Sequence, residues 1–189
     1  LADTGRVPAG AYPERFVLPI TPDGIATLTS ERREFWSNFL SWFRGQNFCL
    51  SMIDKFEPYV RKRLGDDIDR CDFTADVLAV RDLTNYSIGP HTDAPHRLVT
   101  MLFYCPEDDS RPHLGTSIYW PLKSDFRCRG GPHYPFAQFK KITTMPYKRN
   151  TLFAFFKDER SFHGVEPIQD RNLERDLILY DVRVAGTNR

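Results

Sequence analysis

Three side chains able to hold one metal ion constrain this chain more than any other feature. They are His91 and Asp93 in His91-Thr92-Asp93, and His163 in Ser161-Phe162-His163-Gly164-Val165-Glu166-Pro167. In an extended segment residues two apart point to the same side, so His91 and Asp93 can reach one ion while Thr92 faces away. Two imidazoles and one carboxylate cap one face of an octahedral ferrous ion and leave neighbouring positions open. The third ligand lies 72 residues beyond the first, a gap that suits a strand returning to the same pocket from the far side of a barrel.

A His-x-Asp pair alone is a weak motif, and its surroundings give it weight. Arg97-Leu98-Val99-Thr100-Met101-Leu102-Phe103-Tyr104 is an apolar run of strand formers that ends in the turn Cys105-Pro106-Glu107-Asp108-Asp109. Leu114 to Pro121 reads as a short strand entered through glycine and closed by proline. Asn150 to Phe156 precedes the distal histidine, and Arg175 to Val182 follows it. Each ligand is therefore expected at a strand end or in a loop beside a strand.

From about Leu83 to Val184 the sequence resembles the iron(II)- and 2-oxoglutarate-dependent dioxygenases, in particular their prolyl-hydroxylase-like branch. The elements His-x-Asp (91–93), Arg-x-x-Thr (97–100), Phe-His-Gly-Val-x-Pro (162–167) and Arg-x-Leu-x-Leu-Tyr (175–180) stand in that family's order. The resemblance implies a mainly β fold, a double-stranded β-helix or jelly roll of cupin-like type, with His91, Asp93 and His163 holding Fe(II). It also implies 2-oxoglutarate as cosubstrate with O2, hydroxylation of a C–H bond with release of succinate and CO2, and a use for ascorbate. A basic residue on the last core strand would pair with the far carboxylate of 2-oxoglutarate. Arg175 is the best match, because a planar guanidinium meets a carboxylate in two parallel hydrogen bonds; Arg171, in the turn Gln169-Asp170-Arg171-Asn172, is the competitor. Tyr104, seven residues beyond Arg97, matches the tyrosine that contacts the same carboxylate in relatives, although a tyrosine in an apolar strand is also an ordinary core aromatic. Tyr86 reads first as packing at a strand edge. An intact carboxylate at Asp93 points to hydroxylation rather than halogenation.

A chain of 189 residues is expected to form one domain, with helical support at about 25–66 and the β core at about 74–184. Thr29-Ser30-Glu31 offers a helix start, and Phe35, Trp36, Phe39, Leu40, Trp42 and Phe43 recur at helical spacing as a core stripe. A second helix is expected from about Met52 to Leu64, with Pro58 in its first turn or kinking it and Gly65 ending it. Its end, Arg61-Lys62-Arg63, reads as a solvated face. The strands are expected to begin at about Asp76. The segment from Lys123 to Arg149 carries seven basic residues and one acidic one, and reads as a lid over the iron that holds an anionic small molecule. His96 suits a supporting or substrate-facing role, and His113 and His133 read as exposed loop residues.

A net charge of +1 gives no global reason to expect nucleic acid. The four cysteines show no Cys-x-x-Cys pair and fit reduced thiols in a cytoplasmic protein better than zinc ligands or disulfides. No apolar run of about 18 residues marks a membrane span, and the N-terminus lacks a signal-peptide pattern. The missing initial methionine suggests a processed start. Three other functions compete with hydroxylation of a small metabolite: a peptide prolyl-type hydroxylase, a cupin-like metal enzyme that ignores 2-oxoglutarate, and a non-catalytic binding module on the same fold.

Overall fold

A computed structural model of the chain describes residues 7–9 and 12–187. Strands β1 (Val7–Ala9) and β2 (Tyr12–Pro19) come first. Four helices follow: α1 (Pro22–Ala26), α2 (Ser30–Phe43), α3 (Gln46–Lys55) and α4 (Glu57–Leu64). The remaining strands are β3 (Cys71–Leu83), β4 (Ile88–His91), β5 (Arg97–Tyr104), β6 (Ser117–Pro121), β7 (Phe139–Thr144), β8 (Leu152–Phe156), β9 (His163–Val165) and β10 (Glu174–Thr187). They form two antiparallel sheets, a six-stranded one ordered β1-β2-β3-β10-β5-β8 and a four-stranded one ordered β4-β9-β6-β7. This is the expected jelly roll.

Period-2 alternation explains why the large sheet has two different faces. Phe73, Ala75, Val77 and Ala79 of β3, Met101 of β5 and Tyr180 and Val182 of β10 pack under the helices with Leu40, Phe43, Ile53 and Val60. The residues between them, Leu78 and Val80 of β3 and Leu177 and Leu179 of β10, face a cavity between the sheets. The helices thus cover one face of the large sheet, and the small sheet covers the other.

Four expectations are corrected. The expected second helix is two helices: α3 ends at Lys55 and α4 restarts at Glu57 with Pro58 at its N-terminus, where a proline needs no amide partner. Gly65, at φ 64°, ends α4 as expected. The aromatic stripe of α2 is only partly core, since Phe43 is buried but Phe35 and Trp42 are 62% and 54% exposed. Strand structure begins before the helices, and β2 pairs with β3, Arg15 opposite Asp82 and Val17 opposite Val80. Finally, the 123–149 segment, expected as a lid, is partly built into the small sheet: β7 within it pairs with β6, and Lys141 of β7 binds Glu166 at 2.6 Å. Among the described residues no helix is long and apolar enough to cross a membrane.

Candidate metal centre

His91 on β4 and His163 on β9 are direct partners across the antiparallel pair, so the ladder places both imidazoles side by side, with ring centroids 4.4 Å apart. Asp93, two residues past His91, completes the set. One ligand atom from each of the three residues lies within 4.8 Å of the others, and all three residues are buried. Thr92 turns away as the alternation requires, its hydroxyl donating to the Cys128 carbonyl at 2.9 Å.

The histidines are oriented for coordination. His91 Nδ1 lies 2.9 Å from the Gly89 carbonyl and His163 Nδ1 lies 3.0 Å from the Ser161 carbonyl. A carbonyl only accepts, so each Nδ1 carries a proton and each Nε2 is the ring atom left to face a metal. Burial, aided by neighbouring His163, lowers the His91 pKa to about 3, so its imidazole is neutral and ready to bind. Burial alone would raise Asp93, but His163, Arg97 and the Thr100 hydroxyl outweigh it and hold the carboxyl below its ordinary value.

Asp93 is braced from β5. Arg97 reaches its Oδ1 at 3.1 Å and Thr100 its Oδ2 at 2.7 Å. Both braces also touch Asp181 of β10, Arg97 at 3.0 Å and Thr100 at 2.9 Å. Thr100 has one hydroxyl proton and can donate to only one of the two carboxylates at a time. Burial pushes the Asp181 carboxyl up to about 7 against the pull of Arg97.

The triad opens into a cavity of about 460 Å³ whose other end is cationic. Arg175 is 0% exposed, and its guanidinium donates to Asp82 at 2.6 Å, to the Leu114 carbonyl at 2.5 Å and to the Thr116 hydroxyl at 3.4 Å. Arg15 donates twice to the same Asp82 carboxylate, at 2.6 and 3.0 Å. Two guanidiniums thus share one buried carboxylate, leaving a surplus positive charge beside the cavity. Arg15 also covers the ring of Tyr86 at 4.2 Å, and the buried Tyr86 hydroxyl has no partner among the described residues. An anion is what such an end lacks.

No protein-family model and no curated protein matches the chain, but solved structures do. A prolyl-4-hydroxylase from Pseudomonas putida superposes with a TM-score of 0.52 at 16% identity, over 100% of this chain and 80% of that one. The non-heme α-ketoglutarate-dependent epimerase SnoN of nogalamycin biosynthesis gives 0.51 at 12% identity, over 97% and 67%. The chain has the fold of the 2-oxoglutarate- and iron-dependent oxygenases. At such identities the likeness concerns the fold, which in these two neighbours serves a hydroxylase and an epimerase.

Within that fold the residues expected from sequence separate clearly. His91, Asp93, His163 and Arg175 line one cavity, whereas Arg171 is exposed in the turn before β10. Tyr104 and Tyr86 are buried but are not among the lining residues. The Tyr104 hydroxyl accepts the Thr116 amide at 3.0 Å, and its ring lies 5.7 Å from the Arg175 guanidinium carbon, so it supports the cationic end from behind. None of the seven basic residues of the 123–149 segment lines the metal cavity. That segment contributes Gly131 and His133 instead, with the His133 ring 4.6 Å from that of His91 and hydrogen-bonded to the Tyr12 hydroxyl. Gly130 makes this approach possible, because at φ +125° a Cβ there would lie 2.2 Å from the Asp93 carbonyl. Tyr12, Arg15 and Asp82 carried no sequence signal, since each acquires its role only through strand pairing.

Proposed function

We propose that this protein is an Fe(II)- and 2-oxoglutarate-dependent oxygenase that hydroxylates a C–H bond of a small molecule. The observation that carries this reading is a pair of features at opposite ends of one cavity: a metal-binding face of two imidazoles and one ionised carboxylate, and a surplus guanidinium charge. Ferrous iron with 2-oxoglutarate and O2 supplies the oxidising power, and the products are succinate, CO2 and the alcohol. His91, Asp93 and His163 would hold the iron. Arg175, with Thr116 and Arg15 beside it, would take the far carboxylate of 2-oxoglutarate, and Tyr104 keeps Arg175 in place.

The chain's own contribution is positional. Carbonyls of Gly89 and Ser161 keep the imidazole protons on Nδ1. Arg97 and Thr100 keep Asp93 aimed and ionised. Tyr12 and His133 bridge the mouth between β2 and the 130–134 loop, where they can exclude water and orient a substrate beside His91. A small anionic substrate is supported by the excess of basic residues in the 123–149 segment, and a cytoplasmic setting by four cysteines with no Cys-x-x-Cys pair.

The test is anaerobic titration of the Fe(II)-loaded protein with 2-oxoglutarate, following the weak visible charge-transfer absorption. Wild type develops the band, and Arg175→Lys, which keeps the charge but loses the fork, needs about tenfold more cosubstrate. Iron bound without any band would favour the cupin-like alternative.

A further inference from the structure

A second cavity, of about 660 Å³, lies next to the metal cavity. Two chain segments form the wall between them: Ala94 and Gly131 line the metal side, and their near neighbours Pro95 and Arg129 line the other. Its apolar walls are Tyr59 of α4 and Phe156 of β8, whose rings are 5.8 Å apart.

Its cations are poorly matched. Lys157 is 3% exposed, yet its ammonium donates only to two carbonyls, those of Arg129 and Asp158, each at 3.0 Å. Arg63, expected as a solvated helix end, instead spans the carbonyls of Pro95, Arg97 and Lys157. Among the described residues neither has a carboxylate within 4.0 Å. The two acids at this cavity meet neither of these cations: the Asp158 carboxylate accepts the Arg160 amide at 2.6 Å, and Glu159 lies 3.5 Å from Arg129, an exposed cation of the same cavity. Burial, with Arg63 alongside, holds the Lys157 ammonium below its ordinary value. A desolvated ammonium costs free energy unless a counter-charge meets it, and Lys62 at the rim adds to the same sign.

We infer that this second cavity is a substrate subsite for a phosphate or carboxylate group carried on a flat apolar body: Lys157, Arg63, Lys62 and Arg129 meet the anion, and Tyr59 and Phe156 flank the body. The inference rests on the oxygenase reading for its place in turnover, because a substrate seated there extends over the Ala94 and Gly131 rim toward the metal. It would account for an anionic preference without the metal cavity, whose surplus charge 2-oxoglutarate consumes.

The test uses Zn(II)-loaded protein, which is diamagnetic and does not turn over, with phenyl phosphate and benzoate as probes and benzyl alcohol as the neutral control. Amide resonances of Tyr59, Phe156, Lys157 and Asp158 should shift saturably with either anion and not with the alcohol. Prior saturation with 2-oxoglutarate should leave those shifts unchanged. Lys157→Met should abolish them. Since that variant also removes two loop hydrogen bonds, the exposed pair Lys62→Ala/Arg129→Ala supplies a folded control and should bind about tenfold more weakly. No saturable shift, equal affinity in the double variant, or competition by 2-oxoglutarate would each overturn the subsite. Failure of 2-oxoglutarate itself to bind would count against the oxygenase reading and leave the subsite standing.

Discussion

The two ends of the metal cavity are built in opposite ways. At the metal end, the candidate ligands come from one tripeptide and one partner strand, and the ladder between β4 and β9 sets His91 against His163. At the cationic end, Arg15, Asp82, Thr116 and Arg175 come from four separate segments, and no two are neighbours in sequence. At the metal end burial keeps the His91 imidazole neutral. The cationic end is charged at all times and depends on one shared carboxylate. A site for a metal can thus be pre-formed by local geometry, whereas a site for an anion requires several strands to bury opposing charges together.

Asp82→Ala should break this contrast most severely. It leaves two guanidiniums without their buried partner and should cost about 3–5 kcal/mol of stability, read from urea unfolding; a loss below about 1 kcal/mol would mean that Asp82 does not hold that end together. His163→Ala should do the reverse, with near-native unfolding but metal affinity lower by more than about 100-fold, beyond the usual worth of an outer partner. Thr100→Val removes a brace rather than a ligand and should weaken metal binding by about 10–100-fold, measured by calorimetric titration. An unchanged affinity would assign the bracing of Asp93 to Arg97 alone.

A further effect is one of pH in the metal-free protein. The Asp181 carboxyl is raised in the fold from 3.8 to about 7, so between those values the unfolded chain releases a proton that the folded chain keeps. Below 3.8 both states are protonated and Asp181 has no effect, and as pH climbs toward 7 the wild type should lose stability relative to Asp181→Asn. The difference between the two unfolding free energies, plotted against pH, should therefore slope through that window and level off above it. A flat difference would show that Asp181 ionises normally.

Sequence reading reached the metal end because a tripeptide with period-2 geometry contains its own spatial consequence. It reached Arg175 through the family resemblance, as the basic residue that opens the strand Arg175 to Val182. It did not reach Arg15, because β2 precedes the helices and nothing local indicates that it will pair with β3. It did not locate the charge of the 123–149 segment for a related reason: a run of lysines and arginines shows how many charges there are, but not that Lys140 and Lys141 lie exposed on β7, the edge strand of the small sheet, and do not line the metal cavity.

Spacing within a strand and side-chain chemistry specified the alternation of the strands and the candidate ligand set, and the jelly-roll class came from the family resemblance that those motifs carry. Folding in three dimensions settled which cations share Asp82, that His133 meets Tyr12 at the mouth, and that Lys157 is buried with no carboxylate of the described residues within 4.0 Å. Those depend on contacts between residues such as Tyr12 and His133, which are 121 positions apart. Hydrophobic burial brings such residues together through the sheet order, and no short-range propensity records that order.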